Sequence, residues 1–208
     1  MGELIDLAAR REARRLRSGR RPERTHAQFF FDLACPFSYL AAERIERAFD
    51  DVVWTPATAP GLHRGHAAAV RHTAEERAAE LRLPLVWPER FPAGVSAAMR
   101  VAVLAAERGR GAAYVLAATR LAFCGGFDLD DPEILAEAAT ASGLTYEECM
   151  IAADDTGRDG EIERAGQSLV DAGADRLPAL RIGRALYWGE RRLGDGIVAA
   201  RYARVAQL

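Results

Sequence analysis

The segment from Phe29 to Ile45, FFFDLACPFSYLAAERI, constrains the fold more than any other part of the chain. Three consecutive phenylalanines form an apolar run, Asp32-Leu33-Ala34-Cys35 interrupts it, and Pro36 opens a stretch with apolar side chains at Leu40, Ala41, Ile45 and Phe49. That order predicts a short buried strand, a tight turn and a helix. Proline suits the first helical position, where its missing N–H costs nothing and its φ is already helical. Cys35 then falls at the N-cap. The unpaired N–H groups and the positive end of the helix dipole there favour thiolate over thiol, which predicts a lowered pKa and a nucleophile.

The rest of the chain extends this unit. Val52, Val53 and Trp54 before Thr55-Pro56 predict a second strand ended by proline, and strand, helix, strand in so few residues implies a parallel βαβ unit with a right-handed crossover. From about Gly61 to Arg158 the chain is dominated by Ala, Leu, Arg and Glu at helical spacing. Helices are predicted over 67–81, 96–108, 112–123, 132–142 and 145–154, with start signals at Asp131-Pro132 and in the capping-box spacing of Thr145 and Glu148. After a helix from about Gly160 to Ala172, the alternating segments 175–182 and 185–188 flank Gly183-Arg184 as a hairpin, and a last helix runs from about Glu190 to Ala206. The reading is an α/β domain formed by residues 26–60 and 160–208, with an all-helical insertion over 61–159 and an Arg-rich helical extension over 1–25.

Composition narrows the function classes. Half of the 208 residues are apolar, enough for a substantial core, and the net charge of −2 gives no general pull toward nucleic acid or membrane. All 28 basic residues are arginine, which together with the abundance of alanine reads as coding bias and not as a functional signal. The three scattered cysteines form no disulfide framework and have no metal-ligand spacing. The first residues lack the apolar core and cleavage site of a secretory signal, and no later run has the length of a bilayer span, so a cytoplasmic location is expected. In the extension, Leu4, Ile5, Leu7, Ala8 and Leu16 line one helix face, and the arginines between Arg10 and Arg21 form a basic surface diluted by Glu3, Asp6, Glu12 and Glu23. That surface reads as a solvated face or a packing helix.

The stretch D-x-x-C-P-F-S-Y-L resembles the active-site turn of the DsbA-like branch of the thioredoxin superfamily. That branch holds DsbA-type disulfide oxidoreductases, kappa-class glutathione transferases and 2-hydroxychromene-2-carboxylate isomerases. The transferases and isomerases begin the turn with serine and the oxidoreductases carry C-P-x-C; here Cys35 matches the oxidoreductases and Ser38 the transferases. The segments LPLVWPERFP, AAMR and FDLDDPEILAEAA look like the isomerase and kappa-class members. The resemblance covers about residues 27–205 and implies a thioredoxin-like fold with a helical insertion. It also implies a homodimer, a small-molecule substrate, and glutathione or another low-molecular-weight thiol as cofactor.

Site residues follow from both sources. Cys35 is the candidate catalytic group, against the alternative that a lone cysteine is an inert apolar residue. With Ser38 where a resolving cysteine would stand, a mixed disulfide has no partner in the turn, which argues against efficient disulfide donation. Ser38 either bonds the Cys35 sulfur or serves a backbone donor. Asp32 is either a buried acid coupled to the thiol or a loop cap, and Tyr39 reads as core. The resemblance makes Pro178 the proline facing the cysteine, with a cis bond that presents the backbone of Leu177 to thiol or substrate, and it puts Pro36 and Phe37 beside them. It also aligns Tyr187-Trp188-Gly189-Glu190-Arg191-Arg192-Leu193 with an aromatic-aromatic-Gly-x-Asp-Arg-Leu segment whose Asp receives the γ-glutamyl ammonium of glutathione. Arg191 stands in the place of that acid and repels an ammonium, so either Glu190 substitutes or the ligand carries a carboxylate. His63 and His66 lack companions for a metal set. Cys124 and Cys149 read as packing residues.

Three functions are consistent with these residues. The first is a thiol-dependent isomerase or transferase. The second is a monothiol thiol-disulfide oxidoreductase. The third is a silent binding module that uses the Arg-rich extension as its contact surface.

Overall fold

The computed structural model describes residues 27–49, 51–62 and 65–205. The Arg-rich extension and His63 lie outside them. Four strands, β1 (Ala27–Phe31), β2 (Val52–Pro56), β3 (Ala179–Ile182) and β4 (Ala185–Trp188), form one sheet in the order β2-β1-β3-β4. β1 runs parallel to β2 and antiparallel to β3, which pairs antiparallel with β4. The first helix, α1 (Pro36–Ala48), is the crossover between β1 and β2, as the βαβ reading requires.

The triple phenylalanine fills both faces of the sheet because successive strand residues point to opposite sides. Phe29 and Phe31 enter the main core, where Phe29 meets Trp54 edge to face at 5.1 Å. Phe30 points the other way, into a smaller cluster with Leu62, Leu169 and Leu177. All three rings are fully buried, each stabilising by about 2–3 kcal/mol relative to exposure.

Between β2 and β3 come α2 (Ala67–Leu81), α3 (Ser96–Glu107), α4 (Gly111–Phe123), α5 (Pro132–Ala141), α6 (Tyr146–Asp154) and α7 (Asp159–Asp171). α3 lies at the centre of the helical layer, buried continuously from Val101 to Ala105. The cap signals form as the spacing predicts: Asp131 accepts from the Glu133 N–H, and Thr145 and Glu148 make a reciprocal capping box. The last helix, α8 (Glu190–Val205), closes over β3 and β4 and packs on α1. Two buried acids tie helices together. Glu43 of α1 holds Arg120 of α4 with two hydrogen bonds of 2.6 and 2.9 Å. Glu190 of α8 binds both Arg44 of α1 and Arg77 of α2. Among the described residues no helix is long and apolar enough to cross a membrane.

Candidate active site

β1 ends at Phe31, and the chain turns through Asp32, whose carboxylate accepts the Ala34 N–H at 2.7 Å while its C=O accepts the Cys35 N–H at 3.1 Å. This turn delivers Cys35 to the N-cap of α1 with extended backbone, φ −94° and ψ 114°, and Pro36 takes the first helical position. The Cys35 side chain makes no capping bond. Its sulfur points across to the C=O of Leu177, 3.9 Å away. The Leu177–Pro178 bond is cis, and the Pro178 C=O accepts the Gly189 N–H at 2.8 Å. That bond joins the Trp188–Gly189 segment to the same corner, with Gly189 in the positive-φ region, at 79°, that favours glycine.

The lowered Cys35 pKa expected from the N-cap position is overturned. Crowding by the walls of the cleft pushes the thiol up to about 11, and the nearby Asp32 carboxylate adds to the rise. The N–H and hydroxyl of Ser38 and the N–H of Phe37 favour the thiolate but do not win. The Leu177 contact agrees with this direction, because a carbonyl oxygen can only accept and therefore fits S–H, whereas it repels S⁻. Cys35 is thus a neutral thiol at neutral pH.

Ser38 and Asp32 each fill both of the roles left open by the sequence. The Ser38 hydroxyl, fully buried, accepts the Asp32 N–H at 3.2 Å and also faces the Cys35 sulfur. Asp32, buried, caps the turn and also raises the thiol's pKa. Tyr39 is core, with its hydroxyl donating to the Pro84 C=O at 2.8 Å. Cys124 lies 3.1 Å from that hydroxyl and Cys149 is buried against the Leu135 C=O, so both have partners of their own and all three thiols are free. His66 is the N-cap of α2 without a side-chain bond, and among the described residues no cluster of His, Cys, Asp and Glu could hold a metal.

Two cavities meet at this corner. One, of about 330 Å³, contains Cys35 and Pro36 and is walled by Leu62, Val70, Phe91 and Pro92. The other, of about 410 Å³, is walled by Arg77, Arg176, Trp188, Glu190, Arg191 and Arg192. Phe37, Arg176 and Leu177 belong to both, so the two form one cleft. Sequence reasoning missed Arg77, Arg176 and Arg192, although Arg176 directly precedes the Leu-Pro step and Arg192 directly follows Arg191. It also missed the apolar wall from Phe91-Pro92, a second cis bond.

Glu190 does not replace the missing acid. Its side chain is 2% exposed and its carboxylate is held by Arg44 and Arg77, leaving nothing to receive an ammonium. Arg191 is exposed and reaches Glu80 at 3.1 Å.

Comparison with known proteins follows this geometry. A family model described as DSBA-like thioredoxin domain matches residues 27–195. The structure of a 2-hydroxychromene-2-carboxylate isomerase superposes with a TM-score of 0.72 at 17% identity, covering 87% of this chain and 96% of the other. The cytosolic disulfide reductase DsbM from Pseudomonas aeruginosa superposes at 0.63 with 20% identity, covering 88% and 100%. The thiol-disulfide exchange protein alpha-DsbA2 from Wolbachia pipientis superposes at 0.52 with 16% identity, covering 86% and 83%. At these identities the likeness is one of fold. No curated protein matches the sequence. With the strand order, the Cys-Pro helix start and a family match over most of its length, the chain belongs to the DsbA-like thioredoxin domain family.

Proposed function

We propose that this protein is a thiol-dependent enzyme of isomerase or transferase type, cytoplasmic, acting on a small molecule with Cys35 as its single reactive group. The observation that carries the reading is the neutral Cys35 thiol at the junction of the two cavities, with Ser38 and not a second cysteine one turn later. A neutral thiol is a poor disulfide attacker. It is a competent proton donor to a bound thiolate or to an oxyanion that develops on a substrate. Low-molecular-weight thiols, glutathione or another, fit such a cleft as co-substrate, with the Leu177 backbone as their edge. Cys35 then acts through its proton, and Ser38 orients it and returns a hydrogen bond when the proton leaves.

A monothiol oxidoreductase is the second reading, favoured by the cis Leu177–Pro178 step that presents a backbone C=O beside the sulfur. The two readings need opposite protonation states, so one titration separates them. In the Cys124→Ala variant, with Cys149 buried and its silence checked by peptide mass mapping, alkylation of Cys35 by iodoacetamide is expected to have a midpoint of about 11. At pH 7 the thiolate fraction falls about 300-fold below that of an ordinary thiol, and the higher nucleophilicity of the more basic thiolate recovers roughly tenfold, so the net rate is about 30-fold lower. A midpoint at or below that of an ordinary thiol would sink the proton-donor reading and leave the oxidoreductase. No reaction at any pH in the folded protein would sink both.

A further inference from the structure

The second cavity has a charge balance that its neighbours do not neutralise. Four guanidiniums, from Arg77, Arg176, Arg191 and Arg192, line it against two carboxylates, from Asp175 and Glu190. Including the ion-pair partners behind the wall leaves the imbalance unchanged, because Arg44 joins Glu190 while Glu80 is shared between Arg77 and Arg191. Every carboxylate in this set is engaged: Glu190 by Arg44 and Arg77, Asp175 by Arg176 at 2.8 and 3.0 Å, and Glu80 by Arg77 at 2.6 Å and Arg191 at 3.1 Å. Arg192 has no carboxylate within ion-pair distance among the described residues; its guanidinium lies over the Trp188 ring at 5.0 Å, which holds it at the cavity wall.

Arg191 and Arg192 also stand in the first turn of α8, where the helix dipole disfavours cations. Two cations that oppose the local electrostatics, one of them without a counter-charge, gain nothing for the fold. Such local conflicts are characteristic of sites kept for a ligand. The adjoining cavity around Cys35 is the opposite in character, lined by Leu62, Val70, Phe91 and Pro92, and Arg176 and Leu177 connect the two.

We infer that the small molecule sharing this cleft with Cys35 is amphipathic: an apolar or aromatic body lies against the Phe91–Pro92 wall, and an anionic head, carboxylate or phosphate with no ammonium beside it, rests on Arg176, Arg191 and Arg192. This rests on the thiol-dependent reading for its chemistry but not for its binding, and the test separates the two.

The test has two arms, both in the Cys124→Ala protein. In the first, Cys35 reacts with 5,5′-dithiobis(2-nitrobenzoate), an aromatic disulfide with a carboxylate on each ring, and with the uncharged aromatic disulfide 4,4′-dithiodipyridine. In each case the Cys35 proton goes to solvent, a bond forms from its sulfur to one reagent sulfur, the reagent S–S bond breaks and one aryl thiolate leaves. The ratio of the two rates, divided by the same ratio for free cysteine, is expected to be at least 10. It should fall at least fivefold in Arg191→Gln/Arg192→Gln and at high salt. In the second arm, calorimetry with 1-naphthoate, 1-naphthyl phosphate, 1-naphthamide and 1-naphthylmethylammonium reads the cleft without the thiol. One of the two anions should bind at least tenfold more tightly than the amide, and which one does identifies the head group.

A normalised ratio near 1, or equal affinity for the naphthoate, phosphate and amide, overturns the inference and leaves the enzymatic reading standing. Tightest binding of the ammonium probe overturns it as well. If neither disulfide reacts while an anion still binds with the stated preference, the enzymatic reading fails and the anion cleft stands.

Discussion

Replacing Gly166 with alanine is expected to destabilise the protein by about 3 kcal/mol, the upper part of the range for overpacking a well-filled core. A glycine inside a helix normally gains up to about 1 kcal/mol on conversion to alanine, through propensity and a less disordered unfolded chain. Here the sign reverses. A Cβ on Gly166 would stand 2.1 Å from the Thr58 carbonyl oxygen and 2.4 Å from its carbon, and those are backbone atoms of the segment that leaves β2, so no side chain can swing aside. The same segment is anchored to α7 by the Thr58 N–H donating to the Ile162 C=O at 3.3 Å, so the contact cannot open without losing that bond. For a chain of this length the midpoint of thermal unfolding should fall by about 6–12 °C. Gly160→Ala, in the first turn of the same helix, meets only the flexible end of Arg164 and serves as the control. Its midpoint should stay level or rise, and a matching fall in both variants would show that α7 is merely intolerant of alanine.

Glu190→Ala should have the next largest effect, about 2–3 kcal/mol. Truncating one partner of a buried ion pair costs about 3–5 kcal/mol because the remaining charge is left without compensation. The figure is reduced here because water reaches the side chains left behind, 29% exposed for Arg44 and 15% for Arg77. Glu190 holds α1, α2 and α8 to one point at the rim of the cleft, so its loss should show as a fall of roughly 4–12 °C in the unfolding midpoint. Glu190→Gln keeps the shape and one acceptor and should lose clearly less. Adding Arg44→Met to Glu190→Ala removes one stranded charge and should recover part of the loss. Absence of any recovery would mean that Glu190 contributes by packing alone.

What was legible in the sequence was what depends on near neighbours along the chain. The apolar run of β1, the proline that starts α1, the capping residues of α5 and α6 and the turn at Gly183 each act within a few residues, and the elements form as their spacing implies. The chemistry of the site depends on elements brought together from far apart. Cys35 carries the N-cap signature of a low-pKa thiol, yet walls supplied by Leu62, Val70, Phe91 and Leu177 decide its protonation. Glu190 reads as a free acid beside Arg191 until the fold brings Arg44, 146 residues away, and Arg77, 113 residues away, onto its carboxylate. Nothing in the local pattern marks either partner, since arginines are spread along the whole chain.

The distance along the chain between Cys35 and the carbonyl it faces, 142 residues, also orders events during translation. At about 5–20 residues per second, a ribosome takes roughly 7–30 s to add the residues that separate them. Throughout that interval β1 lacks its antiparallel neighbour and Cys35 lacks the wall that suppresses its ionisation. A nascent chain ending at residue 175 should therefore label at Cys35 with the midpoint of an ordinary thiol, and the finished protein should not. The chain is most exposed to oxidants before it is released, and completing β3 is the step that makes its thiol safe.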